Sequence, residues 1–96
     1  MKINLPRIVY YTDGAHGWYA VKRSLIDELG IAQRITPFSY QKGGTVYLEE
    51  DCDAGVFFNA LEAAGFTPAE ISSRTVERDQ SMKGPSRIRY YEDYKL

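Results

Sequence analysis

The chain changes from a strand pattern to a helix pattern within Tyr47-Leu48-Glu49-Glu50-Asp51-Cys52-Asp53. Residues 45–48, which lead into this stretch, are the β-branched, aromatic and apolar types that strands favour. Over residues 53–64, apolar side chains recur at helical spacing, and Gly65 is a natural stop. The stretch therefore predicts a strand-to-helix junction, and it carries four carboxylates in five residues.

On both sides of this junction the same two patterns alternate along the chain. Predicted strands cover residues 7–12, 18–21, 35–40, 45–48, 71–78 and 87–91, and predicted helices cover residues 22–29 and 53–64. Short connections favour antiparallel pairing of successive strands, and two apolar helix faces need a sheet to cover. The order predicts an α+β fold, with two layers, an antiparallel sheet built from three hairpins and two short helices packed on one face. Pro37 implies an edge or a bulge in its strand.

Composition limits the classes of protein that this chain can be. Its 96 residues make one domain, 1–96, and its net charge of −1 excludes a polycation or an acidic mimic of nucleic acid. Because Cys52 is the single cysteine, no internal disulfide or cysteine-based metal framework can form, which fits a reducing cytoplasm. No run approaches the ~20 apolar residues that span a bilayer. We expect a soluble cytoplasmic protein without a signal peptide at residues 1–6.

Two interpretations of the carboxylates Glu49, Glu50, Asp51 and Asp53 remain open from the sequence. Asp51 or Asp53 suits a helix N-cap, where negative charge gains about 0.3–1 kcal/mol from the helix dipole. Capping needs one or two carboxylates, so the surplus also fits a surface that attracts a basic partner. A calcium loop starting at Asp51 fails, because Val56 stands where the sharp turn requires glycine. We expect no metal and no cofactor.

Other candidate chemistry is weaker. Cys52 at a helix start, paired with the single histidine His16, could form a nucleophile pair, but no local signature supports it, so we predict that the chain is not an enzyme. Trp18, Tyr19 and Tyr47 are candidate apolar anchors for a partner. Strand alternation buries only one of Trp18 and Tyr19, and Trp18 also fits the core.

The last third of the chain carries Arg74, Arg78, Arg87 and Arg89 close to tyrosines, which could form a platform for single-stranded nucleic acid. Acidic residues lie among these arginines, and no nucleic-acid-binding motif is present. Direct binding of nucleic acid is therefore the alternative prediction. A sheet face covered with solvated ion pairs explains the same residues.

Three groups of residues together carry a resemblance that covers about residues 10–65. They are His16-Gly17-Trp18 with Val21, Leu25 with Leu29-Gly30-Ile31, and Tyr47 to Asp53 followed by Phe57. This set resembles small accessory proteins carried by phages, prophages and plasmids of proteobacteria. The resemblance brings no catalytic residues with it. Proteins of that kind often inhibit host defence, as anti-CRISPR and anti-restriction proteins do, by occupying a basic surface.

The resemblance and the acidic run together predict a phage or mobile-element protein that binds and inhibits a host defence protein. A CRISPR effector subunit with a basic surface is one such partner. Glu49, Glu50, Asp51 and Asp53 would meet its Lys and Arg side chains. A monomer and a dimer both fit the sequence.

Overall fold

The computed structural model describes residues 4–96, apart from the side chain of Lys83. Residues 1–3, which the sequence analysis assigned to the same domain and to the segment without a signal peptide, lie outside the described residues. In the described part the strands are β1 (Ile8–Thr12), β2 (Gly17–Lys22), β3 (Tyr40–Lys42), β4 (Thr45–Glu49), β5 (Thr75–Asp79) and β6 (Glu92–Asp93). The α-helices are α1 (Arg23–Glu28), α2 (Ala54–Ala63) and α3 (Pro68–Ser73). Short 3₁₀ helices cover Ala32–Arg34, Ser81–Lys83 and Arg87–Tyr90.

The strands form one mixed sheet in the order β5-β1-β2-β4-β3-β6. Two predicted hairpins are present, because β1 pairs with β2 and β3 pairs with β4, both antiparallel. Strand β2 joins them through an antiparallel ladder with β4. The α+β prediction is therefore confirmed, with a sheet that is not closed.

The predicted third hairpin is wrong, and with it the wholly antiparallel sheet. Strand β5 lies parallel to β1, and β6 pairs with β3 at the opposite edge. The cause is α3, a third helix that takes up the first three residues of the predicted strand 71–78. Thr67 and Glu70 form a capping box, and Pro68 occupies the first helical turn. The helix delivers β5 beside β1, where the Ile8 amide donates to the Arg74 carbonyl at 2.8 Å.

Two further segments differ from the prediction. Residues 35–40 are mostly a turn rather than a strand, and only Tyr40 joins the sheet, because side-chain hydrogen bonds hold Thr36. Residues 87–90 form a 3₁₀ helix where a last strand was expected, since the Ser86 hydroxyl accepts from the Ile88 amide and caps a helical turn.

The main core lies between one face of the sheet and the helices. Val21, Val46 and Leu48 point from the central strands towards Leu25 and Ile26 of α1, Phe57 and Leu61 of α2, and Ile71 of α3. Tyr94 closes this core from the carboxyl-terminal tail, and its hydroxyl donates to the Ala32 carbonyl at 2.5 Å. No helix within residues 4–96 is long and apolar enough to cross a membrane.

The opposite face of the sheet, which we call the open face, carries Tyr11, Trp18 and Tyr47, because their register partners alternate with the core residues. Residues 84–91 lie against this face. Trp18 of the sheet and Ile88 of this segment are both buried. Two surface pockets, one beside Trp18 and one beside Tyr47, lie on this side of the sheet.

Candidate functional site

The acidic run does not form one surface. Glu49 is half-buried, Glu50 and Asp51 are exposed, and Asp53 is only 1% exposed. Asp53 occupies the N-cap position of α2, as predicted, but its side chain makes no capping hydrogen bond. The carboxylates predicted to act together therefore have separate environments.

Asp53 instead organises the turn at residues 36–39. Its carboxylate accepts from the Thr36 amide at 3.1 Å, the Thr36 hydroxyl at 2.8 Å and the Ser39 hydroxyl at 2.5 Å. The buried Ser39 oxygen also accepts from the Glu49 amide at 2.9 Å. Because these bonds satisfy Asp53 in the interior, it is not available to a partner and serves to position the turn.

That turn presents Phe38, which is 69% exposed, beside the end of β4. The side chain borders a groove of about 330 Å³. The residues that line this Phe38 groove are His16, Trp18, Phe38, Tyr40, Glu49, Asp51, Cys52 and Arg89. Of the predicted acidic residues, the groove brings together Glu49 and Asp51, and it sets them next to aromatic side chains.

The groove carboxylates are held in place locally. One Glu49 oxygen accepts from the Asp51 amide at 3.0 Å, which closes a tight turn between β4 and α2. Glu49 also accepts a hydrogen bond from the Cys52 thiol, and this bond is the main reason that the pKa of the thiol is raised. A thiol with a raised pKa has less thiolate, so the contacts disfavour Cys52 as a nucleophile.

Glu50 lies on the other face of the sheet. Glu50 accepts a hydrogen bond of 2.6 Å from the Tyr10 hydroxyl. The Tyr10 ring packs against the tilted Tyr19 ring, with 4.6 Å between the ring centroids. Burial, followed by this bond to Glu50, raises the pKa of Tyr10 to about 12. Gly17 lies beneath the ring, and a Cβ there would overlap the end of the Tyr10 side chain.

The three predicted apolar anchors lie in three places. Trp18 is 2% exposed and forms part of the Phe38 groove floor. Tyr19 packs on Phe58 on the helix side of the sheet, with 4.9 Å between the ring centroids. Tyr47 lies on the open face, with 5.1 Å between its ring centroid and that of Tyr91. The structure thus brings only Trp18 together with the groove acids.

The basic residues of the last third are also dispersed. Arg89 binds Asp13 through Nε at 2.7 Å and lies 5.8 Å from the Trp18 ring centroid. Arg74 is exposed at the end of α3, whereas Arg78 and Arg87 are exposed on the open side of the sheet. Arg89 is therefore already paired with a carboxylate of the protein itself.

Sequence reasoning missed Asp13 and Phe38. The side chain of Asp13 is 1% exposed. Its carboxylate accepts hydrogen bonds from Arg89 and from the Ser86, His16 and Ala15 amides. These bonds, above all the one from Arg89, hold the pKa of Asp13 well below the ordinary 3.8. Two of its partners, Ser86 and Arg89, lie 73 and 76 residues away, beyond any local pattern. Phe38 had a local signal in Pro37, which removes a ladder donor from the predicted strand.

Among the described residues, no group of three or more His, Cys, Asp or Glu is arranged to hold a metal ion. No family model matches the chain, and neither a curated protein nor a solved structure matches it.

Proposed function

We propose that this chain is a protein-binding module and that the Phe38 groove is its contact surface. The observation that carries the proposal is an exposed phenylalanine, fixed by the buried Asp53, beside two carboxylates and an aromatic floor. A Lys or Arg side chain combines an apolar stem with a charged head. Such a side chain suits a groove with an aromatic floor and carboxylates at its border.

The partner that this chemistry fits is a protein with a basic surface. The resemblance to mobile-element accessory proteins supports a host defence protein, such as a CRISPR effector subunit, inside the bacterial cell. In that role the chain would inhibit by occupying a surface that normally holds nucleic acid, without catalysis. Clustered carboxylates speed encounter with such a surface and disfavour acidic partners.

The test uses a panel of purified CRISPR effector subunits and restriction enzymes, with binding measured by biolayer interferometry. We expect one member to bind, and the Phe38→Ala variant to weaken that binding by about tenfold or more, as central aromatic contacts do. Met82→Ala is the matched control, because Met82 is 97% exposed and lies outside the groove. Equal binding by Phe38→Ala and the wild type, or no binding to any panel member, would contradict the proposal.

A second candidate function, nucleic-acid binding through the arginines, has one favourable observation. Arg78 and Arg87 share the open side of the sheet with Tyr11, Tyr47 and Tyr91. Phosphate contacts weaken steeply with salt. Binding of single-stranded oligonucleotides at low salt that disappears in the Arg78→Gln/Arg87→Gln variant would support this candidate, and no binding at low salt would remove it.

A further inference from the structure

A second concavity lies on the open face, beneath residues 84–88, and the proposed protein contact does not use it. We call it the tyrosine cavity, because Tyr11, Tyr47 and Tyr91 form much of its wall. Its volume is about 480 Å³, within the range of sites that bind small molecules.

The aromatic wall is continuous. The Tyr47 ring centroid lies 6.4 Å from that of Tyr11 and 5.1 Å from that of Tyr91, with tilted planes. Burial, followed by the neighbouring tyrosines, raises the pKa of Tyr47, so its hydroxyl stays protonated at neutral pH. The wall therefore offers flat apolar surface together with phenol groups that can donate and accept hydrogen bonds.

Gln80 is also among the residues that line the cavity. Its side-chain oxygen Oε1 is buried and has no hydrogen-bond partner among the described residues. Buried acceptors without partners are uncommon in folded proteins. The terminal torsion of glutamine is broad, so a small rotation can bring this oxygen to an N–H group of a ligand.

Cationic side chains lie in and beside the cavity. Arg87 lines it, the strand register places Arg78 opposite Tyr11 on the same face, and the Lys42 ammonium lies 4.7 Å from the Tyr91 ring centroid. No carboxylate is found among those lining residues that the structure describes. An anionic group at the mouth of the cavity would therefore meet cations.

The roof of the cavity is fixed in place. The Asp13 carboxylate accepts from the Ser86 amide at 3.0 Å and from Arg89 Nε at 2.7 Å, which ties both sides of Arg87 and Ile88 to the β1–β2 turn. Gly84, with φ of 79°, takes a left-handed conformation that allows the chain to turn before this roof. A site held in this way is formed before a ligand arrives.

We propose that the tyrosine cavity binds a single nucleotide. The base of the nucleotide supplies a flat ring that packs on the tyrosines and an N–H group that donates to Gln80. The phosphate of the nucleotide contacts Arg87. The volume accommodates one nucleotide rather than a strand. The cavity and the Phe38 groove have no lining residue in common, so this proposal stands or falls separately from the protein contact.

The experiment is a titration of the ¹⁵N-labelled full chain with AMP, GMP, CMP and UMP, followed by amide chemical shifts. We expect at least one monophosphate to give saturable shifts at Gln80, Gly84, Ser86 and Arg87. Inorganic phosphate and the matching nucleoside should each bind more weakly. Absence of saturable shifts at these residues up to about 10 mM ligand, where millimolar binders saturate, would overturn the proposal.

Matched variants separate stacking from charge. Tyr47→Leu should weaken nucleotide binding by about tenfold, the size of a lost stacking contact, whereas Tyr90→Leu should not, because Tyr90 is 82% exposed outside the cavity. Tyr91→Leu replaces Tyr47→Leu if the latter does not fold. Unchanged binding in a folded Tyr47 or Tyr91 variant would overturn the proposal.

Arg87→Gln should weaken binding of the monophosphate and leave the nucleoside unaffected, with the exposed Arg34→Gln as its control. Equal binding of the monophosphate by Arg87→Gln and the wild type would refute the phosphate contact. A single-stranded oligonucleotide that binds more tightly than every monophosphate would overturn the assignment to a single nucleotide.

Discussion

At Asp53, three donors converge on a carboxylate that is 1% exposed. Two residues earlier, Asp51 is exposed at the groove and makes no such contacts through its side chain. The two aspartates look equivalent in the sequence, yet one supports the turn that displays Phe38 and the other lies exposed at the groove that we propose as the contact surface. Their separate roles can be measured.

Asp53→Ala should lower the free energy of unfolding by about 3 kcal/mol, because it leaves buried donors of Thr36 and Ser39 without an acceptor. Asp51→Ala should change it by less than about 0.5 kcal/mol, as exposed substitutions do. Urea denaturation at neutral pH measures both variants. If the two variants were equally stable, the supporting role of Asp53 would be wrong.

Gly17 is the second residue at which a small change has a defined cost. An added methyl group in Gly17→Ala overlaps Tyr10, whose hydroxyl is bonded to Glu50. We expect a loss of about 1–3 kcal/mol in thermal or urea unfolding, as for other overpacked sites.

Gly55→Ala is the matched control for Gly17→Ala. Gly55 lies in α2 with open space around it, so this variant should be stabilised by about 0.5–1 kcal/mol. A wild-type stability for Gly17→Ala would show that Tyr10 moves aside freely.

Among the elements, the first hairpin, strand β4 and helices α1 and α2 are predictable from sequence, because short-range patterns of strand and helix residues specify them, whereas β3 overlaps its predicted strand only at Tyr40. Gly43, with φ of 59°, marks the β3–β4 turn, and Gly65 follows the end of α2. The carboxyl-terminal third is different. Its strands contain few residues and pair with β1 and β3, which are distant in the sequence, so no local pattern specifies their partners.

Asp13 holds residues 84–91, the segment that covers the open face, in place through its bonds to Ser86 and Arg89. Asp13→Asn should lower the free energy of unfolding at pH 7 more than the removal of an exposed carboxylate does, because it removes the charged partner of Arg89 and the acceptor of the Ser86 amide. Asp27→Asn is the control: Asp27 pairs with Arg23 at 3.8 Å on the surface, and its loss should cost less than about 1 kcal/mol. Similar stability of the two variants would contradict this role of Asp13.

The same carboxylate predicts how stability depends on acid. The pKa of Asp13 in the folded state lies below its ordinary 3.8. The stability that this carboxylate contributes is therefore fully present above about pH 4, and it is lost as the pH falls from there through the folded-state pKa. Urea midpoints at pH 7 and pH 3 should therefore differ more for the wild type than for Asp13→Asn. A difference of the same size in both proteins would exclude Asp13 as the main cause.

For the whole molecule, the sequence predicts a two-layer α+β domain because one helix-facing set of apolar residues recurs through both hairpins. It does not predict the mixed topology, since α3 is a six-residue polar segment with a single buried residue, Ile71, and therefore has no helical repeat of apolar side chains. The candidate site was predictable in part. Glu49 and Asp51 reach the groove, whereas Phe38 enters it only through the Asp53 turn.

Alkaline pH tests the packing of the whole molecule through its tyrosines. Burial is the first cause that raises the pKa of Tyr10, Tyr19, Tyr47 and Tyr94, with Tyr10 at about 12. The protonated form is therefore favoured by folding, and the contribution is present below pH 10 and lost as pH rises towards 12. Spectrophotometric titration should show part of the tyrosine signal ionising above pH 10, and a single transition at the unfolded value of about 10 would contradict the burial.

We propose that Glu49 and Asp51, rather than the acidic run as a unit, attract a basic partner. The most direct measurement is the association rate with the panel protein that binds, at low and high salt, for Glu49→Gln/Asp51→Asn against Glu28→Gln/Glu62→Gln. Both variants lose two negative charges, and the second pair lies outside the groove. We expect the groove variant to associate about tenfold more slowly and to lose most of its salt dependence, and we expect the control variant to keep the wild-type rate and salt dependence. Equal association rates for the two variants would contradict this proposal.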